Sequence, residues 1–193
     1  GIDPDVLVLQ EVENETVLNA LNDALGNKYP TQHIVQGNDP RGVDIAALSK
    51  IPFTDVVSHL DESFVVEGTQ GPSFNFTRDL LEYHFTVGNQ KVVLLGVHYK
   101  AKGTPTSPDN PDKRLAEAQE TRAVADELTA ADPSLAVVIL GDCNDTPGSP
   151  PLKAPIFWSM KSTSTPLPNR RRGPPISSTT TSSSPAVSPP PAQ

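Results

Sequence analysis

The chain has 193 residues, 36% hydrophobic and 5% aromatic, with 21 prolines and a formal charge of −8; that length allows one domain with about 150 foldable residues. A single cysteine excludes an intrachain disulfide framework and leaves the cellular compartment open. No internal repeat, transmembrane run or signal peptide is visible.

In chain order, Asp5–Gln10 reads as a buried strand that ends in Glu11. A helix follows from about Glu15 to Gly26, with Asn14 as its N-cap, Gly26 as its stop, and Leu18, Leu21 and Leu25 on one apolar face. Strands are predicted near Thr31–Val35, Val43–Ser49 and Phe53–Leu60. Another runs near Arg78–Val87, where Leu81, Tyr83, Phe85 and Val87 alternate with polar residues as in a half-buried strand. The strand Lys91–His98 leads into a loop from Ala101 to Asp112 that contains three prolines, and loops of that length beside a site often contact substrate. A helix from about Lys113 to Ala131 precedes the strand Leu135–Leu140. This alternation predicts an α/β layered fold.

The chemistry gathers at three strand ends. Val137-Val138-Ile139-Leu140 suits a strand covered on both faces; Gly141 lets the backbone turn, and Asp145-Thr146-Pro147-Gly148 is a loop signal. Between them lie Asp142 and Asn144, at the carboxyl rim of a sheet where α/β proteins place their sites. On an extended backbone these two side chains point the same way, giving one charged oxygen and one neutral amide suited to a phosphate and a hard cation. The same residues also read as an Asx-rich turn closing a core strand. Glu11 ends a second core strand, and His98, followed by Lys100 and Lys102, ends a third.

Leu9-Gln10-Glu11-Val12, Gly96-Val97-His98-Tyr99-Lys100 and Gly141-Asp142-Cys143-Asn144-Asp145 resemble, in order and spacing, motifs of the endonuclease/exonuclease/phosphatase superfamily. Arg41-Gly42-Val43-Asp44-Ile45-Ala46 and the strand starting at Arg78 add to the likeness, which covers roughly residues 3 to 152. The resemblance implies a deoxyribonuclease I-like four-layer α/β sandwich, here partial, and a metal-dependent phosphoester hydrolase. In that reading Glu11 holds Mg²⁺ or Mn²⁺. Asp142 orients or deprotonates the attacking water, Asn144 hydrogen-bonds the scissile phosphate, and His98 contacts a phosphate oxygen. Substrates so implied are phosphoesters, including nucleic acid and phospholipid headgroups. Lys100 reads as a solvated loop lysine and Cys143 as an inward packing change; Arg41 and Asp44 read as a pair behind the site or as strand-edge charges, the latter favoured for Asp44.

The resemblance also implies an Asn-bearing strand ahead of Glu11 and, further on, a terminal Asp-His pair. This sequence begins just before Glu11, and its last histidine is His98. The expectation is an incomplete catalytic domain over residues 1–152. The alternative to an active hydrolase is a catalytically incompetent fragment that retains at most metal or phosphate binding.

Charge divides sharply at that boundary. Residues 1–152 hold 10 of the 15 Lys/Arg and all 23 Asp/Glu, a formal −13, which leaves +5 for residues 153–193. So acidic a body should not bind nucleic acid through bulk charge. The Pro/Ser/Thr-rich tail from 153 to 193 is expected to be disordered. It reads as a linker or mucin-like stalk, as a basic arm through Arg170-Arg171-Arg172, or as a frameshifted replacement of the family's C-terminal half.

Overall fold

The computed structural model describes residues 2–104 and 108–153; the tail predicted to be disordered lies outside them, apart from Lys153. Among the described residues seven strands and three helices follow in the order β1 (Val6–Val12), α1 (Glu15–Ala24), β2 (Thr31–Ile34), β3 (Asp44–Ser49), β4 (Asp55–Ser58), β5 (Leu80–Val87), β6 (Gln90–His98), α2 (Pro111–Ala131), β7 (Ala136–Asp142) and α3 (Pro150–Lys153). Every predicted element is present, with ends shifted by a few residues. The strand predicted at Leu135–Leu140 runs on to Asp142 and so carries that carboxylate on its last residue.

The strands form two sheets, a three-stranded one in the order β1-β3-β2 and a four-stranded one in the order β4-β5-β6-β7. Period-2 alternation sorts β3 between two cores. Ala46 and Leu48 pack with Leu18 of α1, Val12 and Tyr29, whereas Ile45 and Ala47 pack with Leu81 and Tyr83 of the other sheet. On the far side, Val93, Leu95 and Val97 of β6 meet Ala116, Ala118, Val124 and Leu128 of α2. The layers therefore run α1, sheet, sheet, α2, as expected. Among the described residues no helix is long and apolar enough to cross a membrane.

Two local expectations fail. The α1 cap is as predicted, with the Asn14 side chain accepting from Val17 N at 3.0 Å. Of the predicted apolar face, though, only Leu18 is buried; Leu21 and Leu25 are each 37% exposed. The helix turns Asn22 inward instead, where it exchanges two hydrogen bonds with the Tyr29 backbone. Strand β5 is not half-buried either, because Leu80, Leu81, Glu82 and Tyr83 are all covered. Glu82 tolerates burial through His59 Nε2 at 2.8 Å and His84 Nε2 at 2.6 Å. Burial pushes the Glu82 carboxyl up, but the two histidines override this and hold it at about 2. Burial likewise pushes His59 down, and Glu62 and Glu82 raise it to about 9.

Strand β7 joins β6 in parallel, with His98 and Asp142 as register partners. Gly141 makes that junction. Its φ is +140°, and a Cβ there would sit 1.9 Å from the Val97 carbonyl oxygen. Gly141→Ala should lower stability by roughly 2–4 kcal/mol, from backbone strain and overpacking together. An unchanged urea midpoint would show that this close approach is not needed.

Candidate active site

The candidate side chains lie at or just past the ends of strands, and at Glu11 and Asn144 the backbone is distorted there. Between Leu9 and Val12 the pairing of β1 with β3 slips by a bulge, and Glu11 takes a left-handed φ of 58°. Bulges re-aim side chains, and a non-glycine residue held in this region stores strain at a place of use. The Glu11 carboxylate emerges 60% exposed, with Arg41 Nη2 3.9 Å from its Oε1. From the other sheet, His98 ends β6 and Asp142 ends β7, with His98 Nε2 3.9 Å from Asp142 Oδ2. That spacing is an electrostatic contact rather than a hydrogen bond.

The structure sets His98 beside Asp142 within one sheet, and Glu11, on the other sheet, acts electrostatically on the same imidazole. His98 is 3% exposed and its Nδ1 has no partner among the described residues. Burial pushes its imidazole below the usual value and nearby Arg78 adds to this, while Asp142 and Glu11 partly oppose them. The ring is accordingly neutral near pH 7.

The Asp142–Asn144 pair differs from the expectation. The backbone is not extended beyond Asp142, because Asn144 is left-handed at φ 51° and its N–H donates to Asp142 Oδ1 at 2.8 Å. This is the Asx turn that the sequence left open. Asn144 does not project in parallel with Asp142; its Nδ2 donates to the Tyr99 carbonyl at 2.9 Å. An amide has two N–H donors, so one remains for another acceptor. Cys143 is half-buried against the core beside α2, as expected.

Asp44 is also corrected. It is not a strand-edge charge but a buried residue of the central strand β3, where its Oδ1 accepts from Gly37 N at 2.7 Å. Gly37 must be glycine in this arrangement, since a Cβ would lie 2.1 Å from the Arg78 carbonyl oxygen. The partner of Arg41 is Asp39, reached through Nε at 3.1 Å, Nη2 at 2.9 Å and the backbone N–H at 3.0 Å. Lys100 is half-buried, and its Nζ donates to the Ala101 carbonyl.

Sequence reasoning missed the frame behind these groups. The Asp39 carboxylate lies between Arg41 and buried Arg78, whose Nε is 2.9 Å from Asp39 Oδ2. Arg78 Nη1 then donates to the Tyr99 carbonyl at 3.0 Å, the same oxygen that Asn144 uses. Glu117 of α2, fully buried, accepts from Thr77 N, Thr77 Oγ1 and Lys100 N at 2.6–2.7 Å. One turn away, Arg114 pairs with Asp145 at 2.9 Å and Asp109 at 2.7 Å. Lys102 also reaches Asp145, at 3.1 Å. The only signal for Glu117 and Arg114 in the sequence is their (i, i+3) spacing on an alanine-rich face.

A family model described as the endonuclease/exonuclease/phosphatase family matches residues 2–164. The chain belongs to that family. Among solved structures, it is similar to SmcL, with a TM-score of 0.55 and 19% identity over 78% of this chain and 54% of that one. Sphingomyelinase C from Streptomyces griseocarneus gives a TM-score of 0.54 and 21% identity over 77% and 55%. Beta toxin from Staphylococcus aureus, in a structure with bound magnesium ions, gives 0.53 and 20% over 78% and 55%. The family fold is thus shared with these structures, and the chain spans about half of their length. No curated protein matches the chain.

The Asp39 frame has an acid-sensitive signature. Burial would raise the Asp39 carboxyl, but hydrogen bonds from Arg41 and the charges of Arg78 and Arg41 hold it below the usual carboxylate range. Its contribution to stability is present above the ordinary carboxylate pKa and is lost as pH falls through the depressed native value. Asp39→Asn should cost roughly 3–5 kcal/mol at pH 7, by leaving the Arg78 charge buried without its counterion. The cost should shrink in acid, and denaturation curves at pH 7 and pH 3 give both values. An equal loss at the two pH values would rule out the ion pair as its source.

Proposed function

We propose that this family member is a metal-dependent phosphoester hydrolase. The observation that carries the reading is that Asp142 stands 3.9 Å from buried His98, while the exposed Glu11 carboxylate of the other sheet acts electrostatically on the same imidazole. Two carboxylates on rigid strand ends around a shielded imidazole exceed what fold maintenance requires, since each is more than half exposed and neither supports the core.

The donor set fits a sparsely held hard cation. Among the described residues no three His, Cys, Asp or Glu side chains group closely enough to form a full metal cage. Magnesium needs only one or two protein carboxylates and keeps several waters. Glu11 would hold Mg²⁺ or Mn²⁺, which when bound supplies charge that polarises a phosphoryl oxygen and steadies the leaving oxygen. Asp142 orients the attacking water and takes its proton. Asn144, pinned by Tyr99, turns its remaining N–H to the phosphate. His98, neutral, offers a hydrogen bond to a phosphate oxygen rather than a charge.

One observation favours a second reading, binding without turnover. The other histidines stand away from this site: His59 and His84 are bonded to Glu82, and His33 packs edge-on against Tyr83. None supplies a second imidazole as general acid, a role worth about 100- to 10,000-fold in rate.

The deciding assay is hydrolysis of bis(p-nitrophenyl) phosphate and plasmid DNA in Mg²⁺ or EDTA. Glu11→Gln and Asp142→Ala should each reduce metal-dependent turnover by about 100-fold or more. Turnover unaffected by both substitutions would sink the hydrolase reading. A folded chain that binds Mg²⁺ saturably without turnover would establish the second.

A further inference from the structure

The two sheets end in four edge strands, and these differ in length. Strands β2 and β4 have four residues each, and shortness is one way proteins blunt an open edge. Strands β1 and β7 have seven each and lie against one another on one side of the sandwich. The β1 edge is interrupted by its bulge near Glu11. β7 has no such device. Its run Ala136-Val137-Val138-Ile139-Leu140 carries no charge, proline or bulge, and among the described residues its outer side pairs with no strand. Val137 and Ile139 turn to the α2 core, whereas Val138 stands 44% exposed on the opposite face. A long apolar edge left this way is a template for another strand.

The chain itself supplies a strand beside that edge. Asp145, three residues past β7, is held to α2 by Arg114 at 2.9 Å. Turns at Ser149 and Leu152 keep α3 close behind it, packed on the same helix. The chain therefore leaves α3 near the carboxyl end of β7, and a segment extended from there runs back along the strand. After Lys153, outside the described residues, comes Ala154-Pro155-Ile156-Phe157-Trp158-Ser159-Met160-Lys161. This is the only cluster of large apolar residues after α3, and the family match takes it in, reaching residue 164. Pro155 suits the first position of a strand, where no N–H is required. Alternation sets Ile156, Trp158 and Met160 on one face and Phe157 on the other, to match Val138 and Ile139 of β7. Charge separates the two candidate occupants of the edge. A second copy brings −13 against −13, whereas the sequence from residue 153 on carries +5.

We propose that residues 156–160 add to the open edge of β7 as an antiparallel strand, with Trp158 over Val138, so that the chain's own basic tail closes this side of the sandwich. The contact needs neither metal nor substrate, and it stands or falls apart from the hydrolase reading.

Trp158 is the only tryptophan of the chain, so its fluorescence reads the contact directly. In the full chain its emission should be blue-shifted from that of the urea-unfolded chain, and iodide should quench it several-fold less. Val138→Lys should return both readings to the unfolded values while the far-ultraviolet circular dichroism stays native. Ile156→Asp combined with Met160→Asp should do the same. That variant alters no described residue, so it decides the matter where Val138→Lys does not fold. A solvent-exposed Trp158 in the folded wild-type chain would overturn the proposal. So would a shielded Trp158 that both variants leave shielded. A blue shift that vanishes on dilution, as a dimer separates, would overturn it too, because a second copy would then hold the edge.

Discussion

The arrangement depends on one buried charge. Arg78 starts the segment leading into β5, its side chain is 2% exposed, and Asp39 is the carboxylate beside it. A buried guanidinium without a counterion costs several kcal/mol, so the 37–39 segment cannot drift from Arg78. Its other arm fixes the Tyr99 carbonyl, just past His98, and that oxygen in turn fixes Asn144, just past Asp142. A single line of polar contacts thus runs from Arg41, beside Glu11, to the turn after β7. It holds the ends of three strands in two different sheets. Buried ion pairs are poor sources of net stability compared with apolar packing, but they specify geometry, and here the geometry is that of the site.

Helix α2 supplies the second restraint. Ala116 and Ala118 are small enough to bring it against β6, and this close approach lets Glu117 and Arg114 reach past the sheet to the loops. Glu117 ties the residue before Arg78 to the residue after Tyr99, and Arg114 ties the loop after β7 to the loop before the helix. Burial pushes the Glu117 carboxyl up, and its three hydrogen bonds counter that. The helix works as a clamp on loops that would otherwise be free at the carboxyl rim. Those loops hold Asn144 and Lys100 at fixed distances from His98.

What the sequence revealed follows from the range of the interactions. Runs such as Val92–Leu95 and Val137–Leu140 announce buried strands because hydrophobicity is a local property, and the polar residues that end them announce a rim. Glu11, His98 and Asp142 were legible for that reason. The direction in which each side chain points was less so. The bulge and left-handed φ at Glu11 have no mark in the residue types, whereas the left-handed turn at Asn144 was one of two readings that the Asx residues left open. The assumed alternation from Asp142 to Asn144 failed there. Glu117 and the Asp39–Arg78 pair were invisible because their partners are distant in the chain; Glu117 meets Thr77 across 40 residues. Glu82 misled the reading of β5 in the same way, since polar residues on alternate positions normally face water. Here histidines from β4's end and from β5 itself take the place of that water.

Charge distribution links this geometry to what the site can attract. The body carries −13, yet Arg41, Arg78, Lys100, Lys102, Lys113 and Arg114, six of its ten basic residues, lie in the segments around the site. Pairing removes half of them: Arg78 goes to Asp39, and Lys102 and Arg114 go to Asp145. Arg41, although bonded to Asp39, keeps a 58% exposed side chain, and the Glu117 and Asp39 carboxylates both act on Lys113. Of these, Arg41 lies 3.9 Å from exposed Glu11, and Asp142 stands exposed at the end of β7. A site of that composition repels a lone anion less than the net charge suggests and attracts a cation more than any single carboxylate would. Local fields in a cleft with low-dielectric walls outweigh the distant surface charge, which salt screens within about 10 Å. The acidic body therefore says little about substrate. The field that a phosphoester meets is set by the few residues that Arg78 and α2 hold at the rim.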